Sequence, residues 1–272
     1  MVSLKNKTVT GVLWNFSELI LRRGVAIFTT LVLSWFLSPE AFGLLAMITV
    51  FLAFSDVLID AGFSQALIRK ESVTQRELST AFYANTAIAV LAYAILFFCA
   101  PYIALFFEQA ELESLIRVGG IAILFNALAV VQQAILNREL MFKLQLQVTL
   151  PAALFSGLIA IFCAFSGFGV WALIAQVTSQ SLLTTLLYWR LRLWRPSFEF
   201  GYREFKELFS FGGYLLLAQA TRVPFKNMYV IVIAKVYAST IAGLYFFAEK
   251  IRDLVLNQLV NSVQKVTYPA LS

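Results

Sequence analysis

Residues 80–100, TAFYANTAIAVLAYAILFFCA, contain no charged side chain. A helix of about 20 such residues spans the roughly 30 Å hydrocarbon layer of a bilayer. Comparable apolar runs recur at 10–37, 41–61, 116–136, 147–166, 169–189, 211–235 and 240–262. Hydrophobic residues make up 60% of the chain and charged ones 13%, against about a quarter charged in soluble domains. Mean hydropathy is +0.81. One soluble core cannot bury that much apolar surface. Backbone groups in lipid must be satisfied within each segment, which leaves helices. The expected fold is therefore all-α: a polytopic transmembrane helix bundle of about eight spans.

The composition also removes several chemistries. The chain has no histidine, so an imidazole base, a Ser-His-Asp triad and a His-ligated metal are excluded. Cys99 and Cys163 both fall in apolar runs and read as small hydrophobes, with no disulfide framework or thiolate metal site. No GxxxxGK[ST] loop occurs. The sequence thus implies no cofactor, no metal and no catalytic residue. The net charge of +6 reads as loop charge that orients a membrane protein, with no nucleic-acid partner. The start, MVSLKNK followed by an apolar stretch, mimics a signal peptide, but the helix is too long for one and carries charge. It reads as the first span.

Connections are short. SPEAF (38–42) stops the first span at Pro39, and GFG (167–169) is a tight turn. The longest polar piece, about 190–208, mixes Arg, Trp, Phe and Glu and reads as an interfacial segment. With the N-terminus inside, Lys5, Lys7, Arg69, Lys70, Arg76, Arg138, Lys143, Arg190, Arg192, Arg195, Arg203, Lys206 and Lys265 share the inner side. Only Arg117 and Lys235 fall outside. That asymmetry places both termini in the cytoplasm.

Charges also occur within the spans, where each costs about 2.5–3.5 kcal/mol at the bilayer centre on insertion scales. They are not scattered. At about 100° per residue, Asn15, Glu18, Arg22 and Thr29 share one face of the first span. Thr49, Asp56 and Asp60 share a face of the second. Gln219, Arg222 and Lys226 form a stripe on the seventh. On the eighth, Glu249, Asp253, Asn257 and Asn261 recur every four residues, with Lys250 beside them. These stripes predict one hydrated cavity lined by spans one, two, seven and eight, because charge facing water avoids most of the lipid cost. Glu18 and Arg22 are spaced to pair, and Arg23 points away. Asp60 could equally be interfacial, and Glu249 with Arg252, or Asp253 with Lys250, could be structural pairs. Arg222 and Lys226 have no acid on their own face, which suits an anion that comes and goes. Tyr229, Tyr245, Phe246 and Phe247 fit packing better than sugar platforms.

A short loop followed by glycine occurs twice, LSPEAFGLL at 37–45 and YASTIAGLY at 237–245. Sliding the chain by 200 residues also sets Arg22 against Arg222. This hydropathy echo fits two lobes related as parallel repeats around a central path.

SPEAFGLLAMITVFLAFSDVLIDAGFSQALIRK (38–70) resembles the signature region of bacterial polysaccharide flippases of the Wzx type, within the superfamily of the MATE exporters and the lipid II flippase MurJ. The likeness continues through NREL.F (137–142), GFGVWAL (167–173) and YPALS (268–272). The resemblance implies a multi-pass protein of the bacterial cell inner membrane with its N-terminus cytoplasmic. It implies a flippase that moves undecaprenyl-pyrophosphate-linked oligosaccharide from the cytoplasmic to the outer leaflet by alternating access, for polysaccharide export, driven by ion gradients. Partners implied are the lipid-linked oligosaccharide, the bilayer, and polysaccharide polymerase or glycosyltransferase machinery. By the same analogy Arg22, Arg222, Lys226, Asn15, Gln219 and Lys250 bind substrate, while Glu18, Asp56, Asp60, Glu249 and Asp253 couple ions or gate. The family has 12 to 14 spans in two lobes. On that scale residues 1–189 form a six-helix first lobe, 190–210 a cytoplasmic interfacial linker, and 211–272 two spans of a second lobe, so the chain reads as truncated.

Other classes stay open. A MATE-like exporter of cations would have acids dominating its cavity, whereas here cations are as prominent. A truncated copy could serve as a non-transporting membrane scaffold. A membrane enzyme needs a base and a nucleophile held together, and the missing histidine and short outer loops argue against one.

Overall fold

The computed structural model describes residues 4–60, 62–70 and 72–252. Among these the secondary structure is helix and turn, and the helices form an all-α bundle. The helices are α1 (Leu4–Leu33), α2 (Pro39–Asp60), α3 (Phe63–Arg69), α4 (Gln75–Phe107), α5 (Glu111–Gly119), α6 (Ile121–Arg138), α7 (Phe142–Phe165), α8 (Trp171–Arg190) and α9 (Tyr202–Val236). A tenth, α10, begins at 239 and is described to 252.

Local chemistry sets the boundaries. Pro39 opens α2 at the position where its missing N–H costs nothing. Thr74 caps α4 in a reciprocal capping box with Glu77. Gly167 and Gly169 take positive φ values of 82° and 57° in the turn between α7 and α8, as the GFG spacing predicts. Pro101, Pro151 and Pro224 sit inside helices, which neighbouring helices make tolerable in a membrane bundle.

Four stretches are long and apolar enough to cross a bilayer by composition alone: Pro39–Ile59, Gln75–Phe107, Glu111–Arg138 and Phe142–Phe165. Their packing suits lipid. On α4 the buried face is small, with Ala81, Ala89, Ala92, Ala100 and Ala104, while Leu91, Phe98, Tyr102 and Leu105 face outward. Small residues let helix backbones approach where lipid itself is apolar. One such approach between α1 and α7 is at Gly157, where an added Cβ would sit 2.7 Å from the Thr29 hydroxyl. The main core gathers Leu33, Phe42, Met47, Leu112, Ile123 and Leu173 from α1, α2, α5, α6 and α8.

Several expected boundaries move. The span expected at 116–136 begins earlier, at Glu111, and runs through α5 and α6 with Gly120 between them. The span expected from 211 starts at Tyr202, so Arg203, Glu204, Lys206 and Glu207 form the first turns of α9. Within the piece read as interfacial, 191–201 is a non-helical strap stapled to the start of α4. Trp194 is buried there, and its Nε1 donates to Gln75 Oε1 at 2.6 Å. Gln75 Nε2 donates to the Arg195 carbonyl, Gln132 Nε2 to the Trp194 carbonyl, and the Gly201 amide to Thr80 Oγ1. These bonds give the buried backbone and side-chain groups of the strap their partners. Phe198 and Phe200 still point outward.

The two loop–glycine repeats meet in space. A Cβ on Gly43 would lie 2.6 Å from the Ser239 carbonyl carbon, and one on Gly243 would lie 2.8 Å from that of Pro39, each closer still to the oxygen. Pro39 and Gly43 shifted by 200 residues are Ser239 and Gly243. The contact is therefore reciprocal, the signature of a local two-fold relation. Ser239 Oγ also reaches Glu40 Oε1 at 3.4 Å.

Candidate functional site

Polar side chains from several helices line a common opening. A pocket of about 590 Å³ opens among α1, α2, α3, α6, α7 and α8. Its lining includes Arg22, Asp56, Gln65, Asn126, Gln133, Asn137, Thr149, Gln180, Thr184 and Tyr188. These positions lie toward the bundle end that holds Arg69, Lys70, Arg138 and Arg190. The volume falls within the roughly 300–1,000 Å³ of small-molecule sites.

Arg22 enters this pocket from α1. Its Nε lies 3.1 Å from Glu18 Oε1, one helical turn back as the spacing predicts. Glu18 is buried, with 5% exposure, and also accepts a hydrogen bond from Thr149 Oγ1 at 3.1 Å. A buried carboxylate survives in such surroundings only when so compensated. Arg23 points elsewhere, with its Nη1 buried and unpartnered. Asp56 accepts from Asn126 Nδ2 at 3.2 Å. Tyr188 is 1% exposed and its hydroxyl has no partner.

A second, smaller pocket of about 150 Å³ lies among α2, α9 and α10, lined by Thr49, Lys226, Asn227, Phe246, Glu249 and Lys250. Lys226 is exposed. Lys250 Nζ stands 5.0 Å over the Phe246 ring. Glu249 pairs with Arg252 at 3.0 Å, one of the structural alternatives left open by the sequence. Arg222 is exposed and Gln219 half-buried on α9, and neither lines this pocket. Asp253 and the side chains of Asn15 and Asp60 lie outside the described residues.

The described members of the polar stripes do not all line one pocket. Arg22 and Asp56 belong to the larger pocket, Lys226, Glu249 and Lys250 to the smaller, and α2 borders both through Asp56 and Thr49. Charge counting also passed over the uncharged lining. Asn126, Gln133 and Asn137 recur on one face of α6, and Gln180, Thr184 and Tyr188 on one face of α8. That periodicity was visible in the sequence.

The ends of the bundle are bridged by ion pairs onto α9. Lys70 contacts Glu77, and also Glu207 at 2.8 Å. Burial pushes the Lys70 amine down, but hydrogen bonds and charge from Glu207 and Glu77 outweigh it and hold it above its usual range. Arg76 lies 3.6 Å from Glu204. At the opposite end Lys235 Nζ donates to Glu108 Oε1 at 2.7 Å. That bond and the Lys235 charge hold the Glu108 carboxyl below its usual range.

Comparison with known proteins fits this architecture. A family model described as polysaccharide biosynthesis protein matches residues 32–272. The teichuronic acid biosynthesis protein TuaB of Bacillus subtilis is 29% identical over 222 residues, covering 79% of this chain and 45% of TuaB. The lipopolysaccharide biosynthesis protein WzxC of Escherichia coli is 22% identical over 273 residues, covering 100% of this chain and 56% of WzxC. The succinoglycan biosynthesis transport protein ExoT of Rhizobium meliloti is 26% identical over 267 residues, covering 97% and 53%. The chain spans about half the length of the curated relatives it matches. No solved structure gives a significant match. With a multi-pass helical bundle, inward polar pockets and a family match over most of its length, the chain belongs to the polysaccharide biosynthesis protein family, of the Wzx type that its motifs resemble.

Proposed function

We propose that this chain builds the cargo path of a flippase for undecaprenyl-pyrophosphate-linked oligosaccharide, carrying it from the cytoplasmic to the outer leaflet by alternating access. The observation that carries this reading is the polar pocket of about 590 Å³ inside an otherwise apolar bundle. Such a pocket gives a hydrophilic head group a place at membrane depth while its lipid tail stays outside. The basic loops at the same end support a cytoplasmic N-terminus and a bacterial inner membrane location.

Within this reading Arg222, Lys226 and Lys250 attract the pyrophosphate, with Gln219 on the same helix as Arg222 and Lys226, while Arg22 and Asn15 on the first helix contact the rest of the cargo. Glu18, Asp56, Asp60, Glu249 and Asp253 supply ion coupling or gating. Residues 1–189 act as the first lobe, 190–210 as a linker and 211–272 as the start of a second lobe. The reading needs no cofactor and no catalytic step, and its partners are the lipid-linked glycan, the bilayer and the machinery that builds and polymerises the glycan. ExoT carries transport in its name, which favours transport over a scaffold.

The test is reconstitution in liposomes with a fluorescent undecaprenyl-pyrophosphate oligosaccharide. Translocation above protein-free liposomes, reduced by Lys226→Ala and Arg222→Ala, is the expected result. Binding without translocation would overturn the flippase reading in favour of a scaffold. Transport unaffected by either substitution would discard the cationic assignment.

A further inference from the structure

We infer that the larger pocket is a subsite for uncharged sugar hydroxyls, and that the phosphates of the cargo are held elsewhere. This rests on the flippase reading for its biological sense but on its own geometry for its chemistry.

The argument turns on what the lining can bond. Gln65, Gln133, Asn137, Gln180 and Thr184 all face the pocket. None makes a side-chain hydrogen bond to another described residue. Each amide offers both donors and an acceptor, and the threonine hydroxyl offers both in one group. Gln65 and Gln133 are exposed and Asn137, Gln180 and Thr184 half-buried around this open pocket, so their polar groups face water or a ligand with matching groups. The Tyr188 hydroxyl, buried and unpartnered, adds one more.

Charge decides which ligand. A phosphate accepts hydrogen bonds and donates few or none. It would leave the amide oxygens unmatched and would face the Asp56 carboxylate. Among the described lining residues the cation is Arg22, which already bridges the buried Glu18 at 3.1 Å. Carbohydrate hydroxyls both donate and accept. They can donate to Asp56 and to the amide oxygens, and accept from the amide nitrogens in the same pose. The smaller pocket has two lysines and one acid in its described lining, a donor set that suits phosphate better. The two pockets thus divide the cargo, sugar in one and phosphate toward the other.

The same logic sets specificity. Asp56 lines the pocket with no cation bonded to it; its bonded partner is the neutral Asn126 amide. It disfavours an acidic sugar at this subsite and welcomes neutral ones.

The test is saturation-transfer NMR on the whole chain in lipid nanodiscs, with methyl glucoside, N-acetylglucosamine and glucuronate as probes. The neutral sugars receive saturation and glucuronate receives about tenfold less. Gln133→Leu and Gln180→Leu, close to the original volume, each lower the neutral-sugar signal by about two- to tenfold, the loss of one hydrogen-bonding group. Asp56→Asn narrows the gap between glucuronate and the neutral sugars, a gain that a merely misfolded variant cannot give. Stronger binding of glucuronate than of neutral sugars, displacement of the sugars by inorganic pyrophosphate, or leucine variants that bind as the unaltered chain does would each overturn the proposal. Sugar binding without movement of lipid-linked cargo in liposomes would sink the flippase reading alone. Movement without sugar binding would sink the subsite alone.

Discussion

Replacing Gly43 by alanine sets two effects against each other. In a helix interior, alanine is favoured over glycine by about 0.5–1 kcal/mol, so propensity alone predicts a more stable chain. The new Cβ, however, would lie 2.6 Å from the Ser239 carbonyl carbon. Ordinary carbon contacts sit near 3.5 Å, so α2 and α10 must part by about 1 Å there. The obstacle is backbone, which no rotamer change can move aside. Overpacking of this kind costs about 1–3 kcal/mol. The clash wins, leaving a net loss of about 1–2 kcal/mol, a five- to thirty-fold shift away from the closed contact. The assay is cross-linking of Glu40→Cys to Ser239→Cys by a short bifunctional thiol reagent, with the native Cys99 and Cys163 changed to serine. Gly43→Ala slows it and Gly243→Ala does the same. The double variant costs less than the sum, because one separation relieves both clashes. Gly24→Ala, where an added Cβ meets nothing within 4 Å, leaves the rate unchanged. Equal rates for Gly43→Ala and the unaltered glycine would refute the close reciprocal contact.

Arg22→Ala strands the buried Glu18 carboxylate and lowers stability by about 1–3 kcal/mol, and adding Glu18→Gln recovers most of the loss; thermal unfolding in detergent reads both. Gln75→Ala removes the partner of both Trp194 Nε1 and the Arg195 carbonyl, so amide exchange across the 191–201 strap speeds up while that of α6 does not. Glu108 titrates below its usual range when folded, so its contribution is present above the ordinary carboxylate value of about 4.3 and is lost as pH falls through the folded value. Acidification from about pH 6 to about pH 3 therefore loosens the Lys235 end of α9, and Glu108→Gln removes that contact's dependence on pH, as followed by spin-label distances from α4 to α9.

The long apolar runs fixed the helices because lipid leaves the backbone no other solution. The GFG turn and the Pro39 start were equally legible, since both depend on local conformation. The Glu18–Arg22 pair followed from spacing alone. What the sequence hid was which helices close on which. Four charged stripes look alike on a wheel, yet α2 turns Asp56 and Thr49 toward different pockets. The amides of α6 and α8 were overlooked because attention to the lipid cost of charge ignores neutral polar groups, whose cost is smaller but whose periodicity is as clear. The strap at 191–201 has the composition of a headgroup segment, and only its pairing with Gln75, Thr80 and Gln132 reveals it as packed structure. The faint echo at 200 residues gained meaning when Gly43 and Gly243 proved to touch each other's loops.

The account stands on a water-filled polar pocket inside the membrane bundle. Labelling of Gln180→Cys by a membrane-impermeant thiol reagent, on a chain lacking Cys99 and Cys163, tests that most directly. The account predicts rapid labelling from the side that carries Arg138 and Arg190, blocked from the opposite side, with the outward-facing Leu91→Cys silent from both. A Gln180→Cys as silent as Leu91→Cys would contradict it.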